Sequence, residues 1–321
     1  MWDLFQTPFK GFVASDFGAY TEDKWSSRLH NRARMGVRDK LSALGRQARE
    51  ALEAQGASFS VEANDAQPSV FNGQKVDAQW LFLTRTEADR KQLATLIDRE
   101  VSVREALEDA GHHKRHLMLG IKVHQGGVDV MLGLHRRAII DVRNSLSKLG
   151  DEVAAEDFQG VMADVSASSA GQLHLVAPTG VTPMHDVDAA SLQAALTALS
   201  QGQGDWCLFG RNFPADSAEP RDEGFGAFVA DLFVDLLPLY NFLLWRQDND
   251  HLALRHEIKE REVQARLGGA AELQVGDAVV ITSGLFSGKA GTVQEIDQHG
   301  MTRVAVGKLV VQIKGDALRR Q

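Results

Sequence analysis

The sequence predicts an α+β protein, a large N-terminal domain of mixed helices and strands followed by a small all-β domain. Three observations carry this: a long helix-period segment near the start, a glycine-turned hairpin in the middle, and a switch of hydrophobic period from about 3.6 to two beyond Leu273.

From Ser26 to Ala54, the apolar positions Val37, Leu41, Leu44, Ala48 and Leu52 recur at spacings of three and four, so one stripe of a helix is expected to be buried, with Gly56 as its stop. "SFSVEA" then reads as a strand. The turn-rich "NDAQPSVFNGQK" leads to a second strand, "VDAQWLFLT", and to the charged helix "EADRKQLATLIDREVSVREALEDAG". "HLMLGIKVH" and "VDVMLGLH" form a hairpin across "QGG", whose glycines reach the positive φ of a tight turn. A helix, "RAIIDVRNSLSKL", follows. Beyond Gly150 come a strand "QLHLVAP", a helix "DAASLQAALTALSQ", a strand "WCLFGRNF" and an apolar helix over 224–245, which Pro238 should interrupt because it lacks a backbone donor. The charge-dense segment from Asp248 to Leu267 reads as an exposed connecting helix, which divides the chain into 1–247, 248–270 and 271–321. In the last part "DAVVITS", "AGTVQEI", "TRVAV" and "KLVVQIK" are four short strands of a small antiparallel barrel.

The single cysteine, Cys207, excludes an internal disulfide framework and multi-cysteine zinc motifs, and it suits a reducing, cytoplasmic setting. No secretory signal is visible at the N-terminus. The 224–245 run has nearly the length of a membrane span, but Asp231 and Asp235 would each cost about 2.5–3.5 kcal/mol in a bilayer, so a buried helix is expected and no membrane partner. A formal net charge of −8 argues against indiscriminate binding to phosphate backbones; any such contact must be local.

The stretch "GDAVVITSGLFSGKAGTVQEID" resembles the KOW motif of NusG-type transcription factors and several ribosomal proteins, through Gly276, Asp277, Gly284, Phe286, Gly288, Lys289, Gly291 and Val293. The resemblance covers about the last 50 residues. It implies an SH3-like barrel that docks on RNA or on a ribosomal or transcription protein, and it implies no catalysis. Gly284 and Gly288 are expected to turn the loop and Gly291 to permit close packing. Six Lys or Arg face five acids over 272–321, so the module is nearly neutral. Residues 1–247 carry a dispersed similarity to the YktB-like family of uncharacterised bacterial proteins, in "FKGFVASDF", "VDAQWLFLT", "HLMLGIKV", "DWCLFGRNF" and "LLPLY"; it implies an α+β fold and no particular chemistry.

Between Lys24 and Arg49 lie eight cations and one acid, Asp39. At about 100° per residue, all except Lys40 fall on one arc beside the apolar stripe, which would meet a phosphate backbone as a row of cations. Arg28, Arg32, Arg38, Arg46 and Arg49 are the candidates on this helix, and Phe286 and Lys289 those on the KOW-like loop. The bland counterpart is a solvated face whose arginines pair with acids elsewhere.

The competing reading is an enzyme with an anionic-ligand site around His116, Lys122, His124, His135 and Arg136, on and beside the hairpin. No motif supports it. There is no serine elbow, Walker loop, dinucleotide fingerprint or paired-carboxylate motif, so no cofactor is expected. His112 and His116 in "GHHKRH" lack a carboxylate to complete a metal set, and Cys207 between Trp206 and Leu208 reads as core packing. The expectation is thus a non-enzymatic adaptor for RNA, the ribosome or the transcription machinery, with a protein-protein scaffold as a further alternative.

Overall fold

A computed structural model describes residues 8–100, 112–253, 273–297 and 301–320. The chain is α+β and divides into two compact units, Met1–Asn249 and Asp250–Gln321. Most of the expected connecting helix, 254–272, lies outside the described residues.

The first unit is organised by a seven-stranded antiparallel sheet of β1 (Ser60–Ala63), β2 (Ala78–Thr84), β3 (Met118–His124), β4 (Gly127–His135), β5 (His174–Ala177), β6 (Gly180–Pro183) and β7 (Trp206–Pro214), in the order β1-β2-β3-β4-β7-β5-β6. The hairpin is in register, with Met118 opposite Gly133 and His124 opposite Gly127. Alternation sorts the side chains. Leu81, Leu83, Ile121, Val130, Leu132 and Phe209 point to one face and join a continuous core with α1 (Asn31–Ala54) and α6 (Phe225–Asp235). Each such side chain contributes about 1.5–3 kcal/mol on leaving water. The long helix packs so close to the sheet that a Cβ on Gly45 would sit 2.5 Å from Leu81 Cδ2.

Several elements differ from the sequence reading. The long helix begins at Asn31; Arg28–His30 form a separate 3₁₀ turn capped by the Ser27 hydroxyl. After α2 (Glu87–Glu100) and α3 (Ile139–Leu149) comes an unanticipated helix, α4 (Glu152–Ala167), whose first turn is capped by Asp151 accepting from the Ala154 amide. Ala154, Phe158, Met162 and Val165 form its buried stripe, which its acids and Gly160 obscure in the sequence. The short strand β6 was also not expected. After α5 (Ala189–Ser200), the apolar segment breaks as Pro238 requires, into α6 and α7 (Leu237–Leu243), bent by 45°. Among the described residues no single helix is long and apolar enough to cross a membrane.

The polar residues of α3 face inward. Asp141, Asn144, Ser145 and Lys148 recur at helical spacing and all are buried. They hold one segment of chain: Asp141 accepts the Trp245 amide at 2.9 Å, Asn144 donates to the Asn249 carbonyl, Ser145 to the Leu243 carbonyl and Lys148 to the Phe242 carbonyl. The exit from α7 is thereby fixed where helix termini otherwise leave carbonyls orphaned.

In the second unit β8 (Ala278–Ile281), β9 (Ala290–Ile296), β10 (Met301–Val306) and β11 (Leu309–Lys314) match the four expected strands, and β12 (Leu318–Arg320) is a fifth. Their order is β11-β10-β9-β8-β12, and no barrel-closing pair forms among the described residues, so the expected barrel is an open antiparallel sheet. Val279, Ile281, Val293, Val304 and Leu318 make its small core.

Candidate functional sites

The basic face of the first helix is smaller than its helical wheel. Arg34 is wholly buried and donates to the carbonyls of Lys24, Trp25 and Ser27 and to Asn31 Oδ1. Lys24 donates to the Gly18 carbonyl, Lys40 pairs with Asp16 at 2.6 Å, and Arg49 pairs with Glu53 at 3.5 Å. Arg46 is also engaged. Arg28, Arg32 and Arg38 make no ion pair among the described residues, and Arg28 precedes the helix, so the row expected from five arginines reduces to these three.

The five residues of the alternative ligand site lie on or beside the sheet face opposite the main core, at two ends. Lys122 and His124 are at one end; His116, His135 and Arg136 are at the other, roughly 20 Å away at about 3.4 Å per residue. At the first end, His124 Nδ1 accepts the Gly126 amide, so Nε2 carries the proton and donates to Asp129 Oδ2 at 3.3 Å. Asn212 donates to the other Asp129 oxygen, and the Lys122 ammonium lies 3.8 Å from the carboxylate and 5.1 Å from the Trp80 ring centre. Burial alone would raise the Asp129 carboxyl, but the hydrogen bonds of His124 and Asn212 and the nearby charges outweigh it and hold it below the ordinary value. With both ring nitrogens engaged, His124 has no lone pair left for base catalysis.

At the far end, His135 Nδ1 accepts the Arg137 amide and its ring meets Trp206 edge-on, while burial, with Lys114 close by, pushes its pKa down to about 4. Arg136 pairs with Asp205 at 2.9 Å. Between the ends, Trp80 stacks on Phe82 and Trp206, over Met118 and Met131. The predicted cations are thus not brought together. Cys207 lies in the main core, its thiol pushed up to about 12 by burial, which leaves it unreactive at neutral pH. Among the described residues no group of three or more His, Cys, Asp and Glu side chains converges.

In the second unit the β8–β9 loop turns at Gly284 and Gly288, with φ of +85° and +80°, and is closed by the Gly288 amide donating to the Ile281 carbonyl at 2.7 Å. A Cβ on Gly291 would lie 2.6 Å from the Ala305 carbonyl oxygen. Phe286 packs against the small core, and Leu285 is the exposed tip. Arg320 pairs with Asp277 and Arg303 with Glu295, both at 2.9 Å. Lys289, Lys308, Lys314 and Arg319 are exposed and have no ion pair among the described residues.

A site missed from the sequence lies in the first unit. A cleft of about 470 Å³ is lined by the loop after α1 (Gly56–Phe59), by Arg85 and Asp89, and by Leu237, Tyr240, Asn241 and the chain from Leu244 to Asp248. At its floor Arg85 Nη2 pairs with Asp141 at 2.5 Å, both side chains buried. Asp141 also accepts the amides of Leu117 and Trp245, so its carboxylate is fully used. Arg85 Nη1, the Tyr240 hydroxyl and Trp245 Nε1 have no hydrogen-bond partner among the described residues. Each such buried donor costs about 1–3 kcal/mol. These residues come from distant stretches of chain, so no motif spacing announces them.

No protein-family model matches the chain, and no curated protein matches it.

Proposed function

We propose that the protein is a non-enzymatic cytoplasmic adaptor whose C-terminal unit docks on RNA. The observation that supports it is the division of charge there. Asp277 and Glu295 are neutralised by Arg320 and Arg303, whereas Lys289, Lys308, Lys314 and Arg319 face solvent with no ion pair among the described residues. A module neutral by composition therefore offers four cations outward, beside a glycine-turned loop that resembles the KOW motif. Leu285 at the loop tip supplies an apolar contact. Arg28, Arg32 and Arg38 on the first unit are a second, weaker basic patch.

Four phosphate contacts to single-stranded RNA give a salt slope of about −2.8, so raising salt from about 50 to 200 mM should weaken binding about 50-fold. Fluorescence anisotropy of a labelled RNA reads this directly. Lys289→Ala or Arg319→Ala should each lower the slope by about 0.7. Absence of binding at low salt, or a slope unmoved by these substitutions, would refute RNA as the partner and leave a ribosomal or transcription protein for the same surface.

A further inference from the structure

The sheet of the first unit has a second face, and it carries an aromatic layer. Leu81, Leu83, Ile121 and Leu132 turn to the main core, so Trp80 and Phe82 of β2, Gly120 of β3, Gly133 of β4 and Trp206 of β7 turn the other way. The glycines leave the backbone bare, and Trp206 Cζ3 lies 3.4 Å from where a Cβ on Gly133 would stand. The rings are close to parallel: Trp80 is inclined by 22° to Phe82 and by 18° to Trp206, at centroid separations of 5.6 and 6.1 Å. Such separations belong to offset rings, whose faces overlap only in part. The His113 imidazole, from the short helical turn His112–Arg115, lies on Phe82 at 4.0 Å and 9°, a planar heteroaromatic ring seated flat on the first of the three. Phe82 is buried, whereas Trp80 and Trp206 remain partly exposed.

Cations stand at both ends of this layer. The acids Glu62, Asp129 and Asp205, on and beside the face, are answered by Arg90 at 2.8 Å, by His124 and Asn212, and by Arg136. Lys122 lies over Trp80, 3.8 Å from Asp129. Lys114, close to His135 at the Trp206 end, makes no ion pair among the described residues. We infer that this face is a stacking platform for single-stranded RNA. Bases lie on Trp80 and Trp206 as His113 lies on Phe82, and the phosphates between them meet Lys122 and Lys114. Stacking needs unpaired bases, whose faces a duplex hides, and it tolerates any sequence because every base has a π-face. An apolar peptide would cover the rings and leave the lysines unanswered; a polyphosphate without bases would do the reverse. RNA as the partner rests on the reading given above, but the surface is a different one, on the other unit.

The test uses the full chain and two labelled oligomers of about eight nucleotides, oligouridylate and its abasic counterpart, which keeps the phosphates and has no bases. In fluorescence anisotropy at low salt, oligouridylate should bind at least about 5-fold more tightly. Trp206→Leu and Trp80→Leu should each remove most of that difference and leave abasic binding unchanged, whereas Lys114→Ala should lower the salt slope by about 0.7 and keep the difference. Where a leucine variant fails to fold, Trp206→Phe supplies a second readout: it keeps a ring and most of the binding, while the quenching of tryptophan emission by oligouridylate falls. Equal affinity for the two oligomers, folded leucine variants that bind as the wild type does, or an absence of quenching would each overturn the platform. Lys289→Ala and Arg319→Ala separate the two surfaces. If they weaken both oligomers while the tryptophan variants change neither, docking by the second unit stands and the platform falls; the converse result leaves the platform standing alone.

Discussion

Arg34 and Arg85 are both almost completely buried, and the fold treats them in opposite ways. Arg34 is held by neutral acceptors, the carbonyls of Lys24, Trp25 and Ser27, so its charge ties the 3₁₀ turns before the first helix to that helix. Arg85 is held by one carboxylate and keeps an unsatisfied Nη1 under a cleft. Arg34 spends both terminal nitrogens on neutral oxygens and Arg85 spends one on a carboxylate, while each keeps one buried nitrogen without a partner among the described residues, Nε in Arg34 and Nη1 in Arg85.

The sharpest way to break this comparison is to remove the carboxylate. Asp141→Asn strands the buried Arg85 charge and weakens the acceptor for two amides, and should destabilise the protein by about 3–5 kcal/mol in urea unfolding. Adding Arg85→Met should recover part of that loss and no more, because the Leu117 and Trp245 amides still lack their acceptor. Full recovery would mean that the carboxylate serves only the arginine.

Arg34→Met comes next, at about 3 kcal/mol, since it removes the donor from three carbonyls while keeping an aliphatic stem. Arg34→Lys should recover less than half: an ammonium is a point donor and cannot span acceptors that the two terminal guanidinium nitrogens reach separately.

The same contrast explains what the sequence could show. Hydrophobic period located the long helix, the hairpin, the Pro238 break and the four C-terminal strands, because those elements bury apolar stripes in the ordinary sense. It misled at α3, where Asp141, Asn144, Ser145 and Lys148 form a polar stripe that periodicity assigns to solvent and the fold turns inward. It misled again at Arg34, which the helical wheel counts as part of a basic face. The cleft was invisible for a related reason. Its residues gain meaning from partners 56 and 104 positions away in the chain, as with Arg85 and Asp141 or Asp141 and Trp245, and such distances obey no local spacing.

His135 adds a third answer to the problem of a buried base: it gives up its charge. The folded pKa of about 4 lies below the unfolded value of about 6.5, so the unfolded chain takes up a proton first as pH falls. The stability that this contributes is full above about pH 6.5 and is lost between there and pH 4, by about 3 kcal/mol in all. His135→Gln should remove that component, so the difference between the two proteins' urea midpoints should change across this window and stay flat above it. Lys114, Arg136, Arg137 and Asp205 surround the ring and are unchanged in both proteins, which isolates the imidazole.

The smallest effect belongs to an exposed arginine. Arg49 pairs with Glu53 at 3.5 Å, both about half exposed, one turn apart on the first helix. Such pairs contribute a few tenths of a kcal/mol at most, and this one runs in the weaker order, with the acid C-terminal to the base and close to the negative end of the helix dipole. Arg49→Ala should therefore shift stability by less than about 0.3 kcal/mol, in contrast to Arg34, fifteen positions earlier in the same basic run. That weakness is what leaves a surface arginine available to a partner. If the helix takes part in RNA binding, Arg32→Glu, at an exposed arginine with no ion pair among the described residues, will lower affinity with almost no change in melting temperature, a separation that no substitution at Arg34 could give.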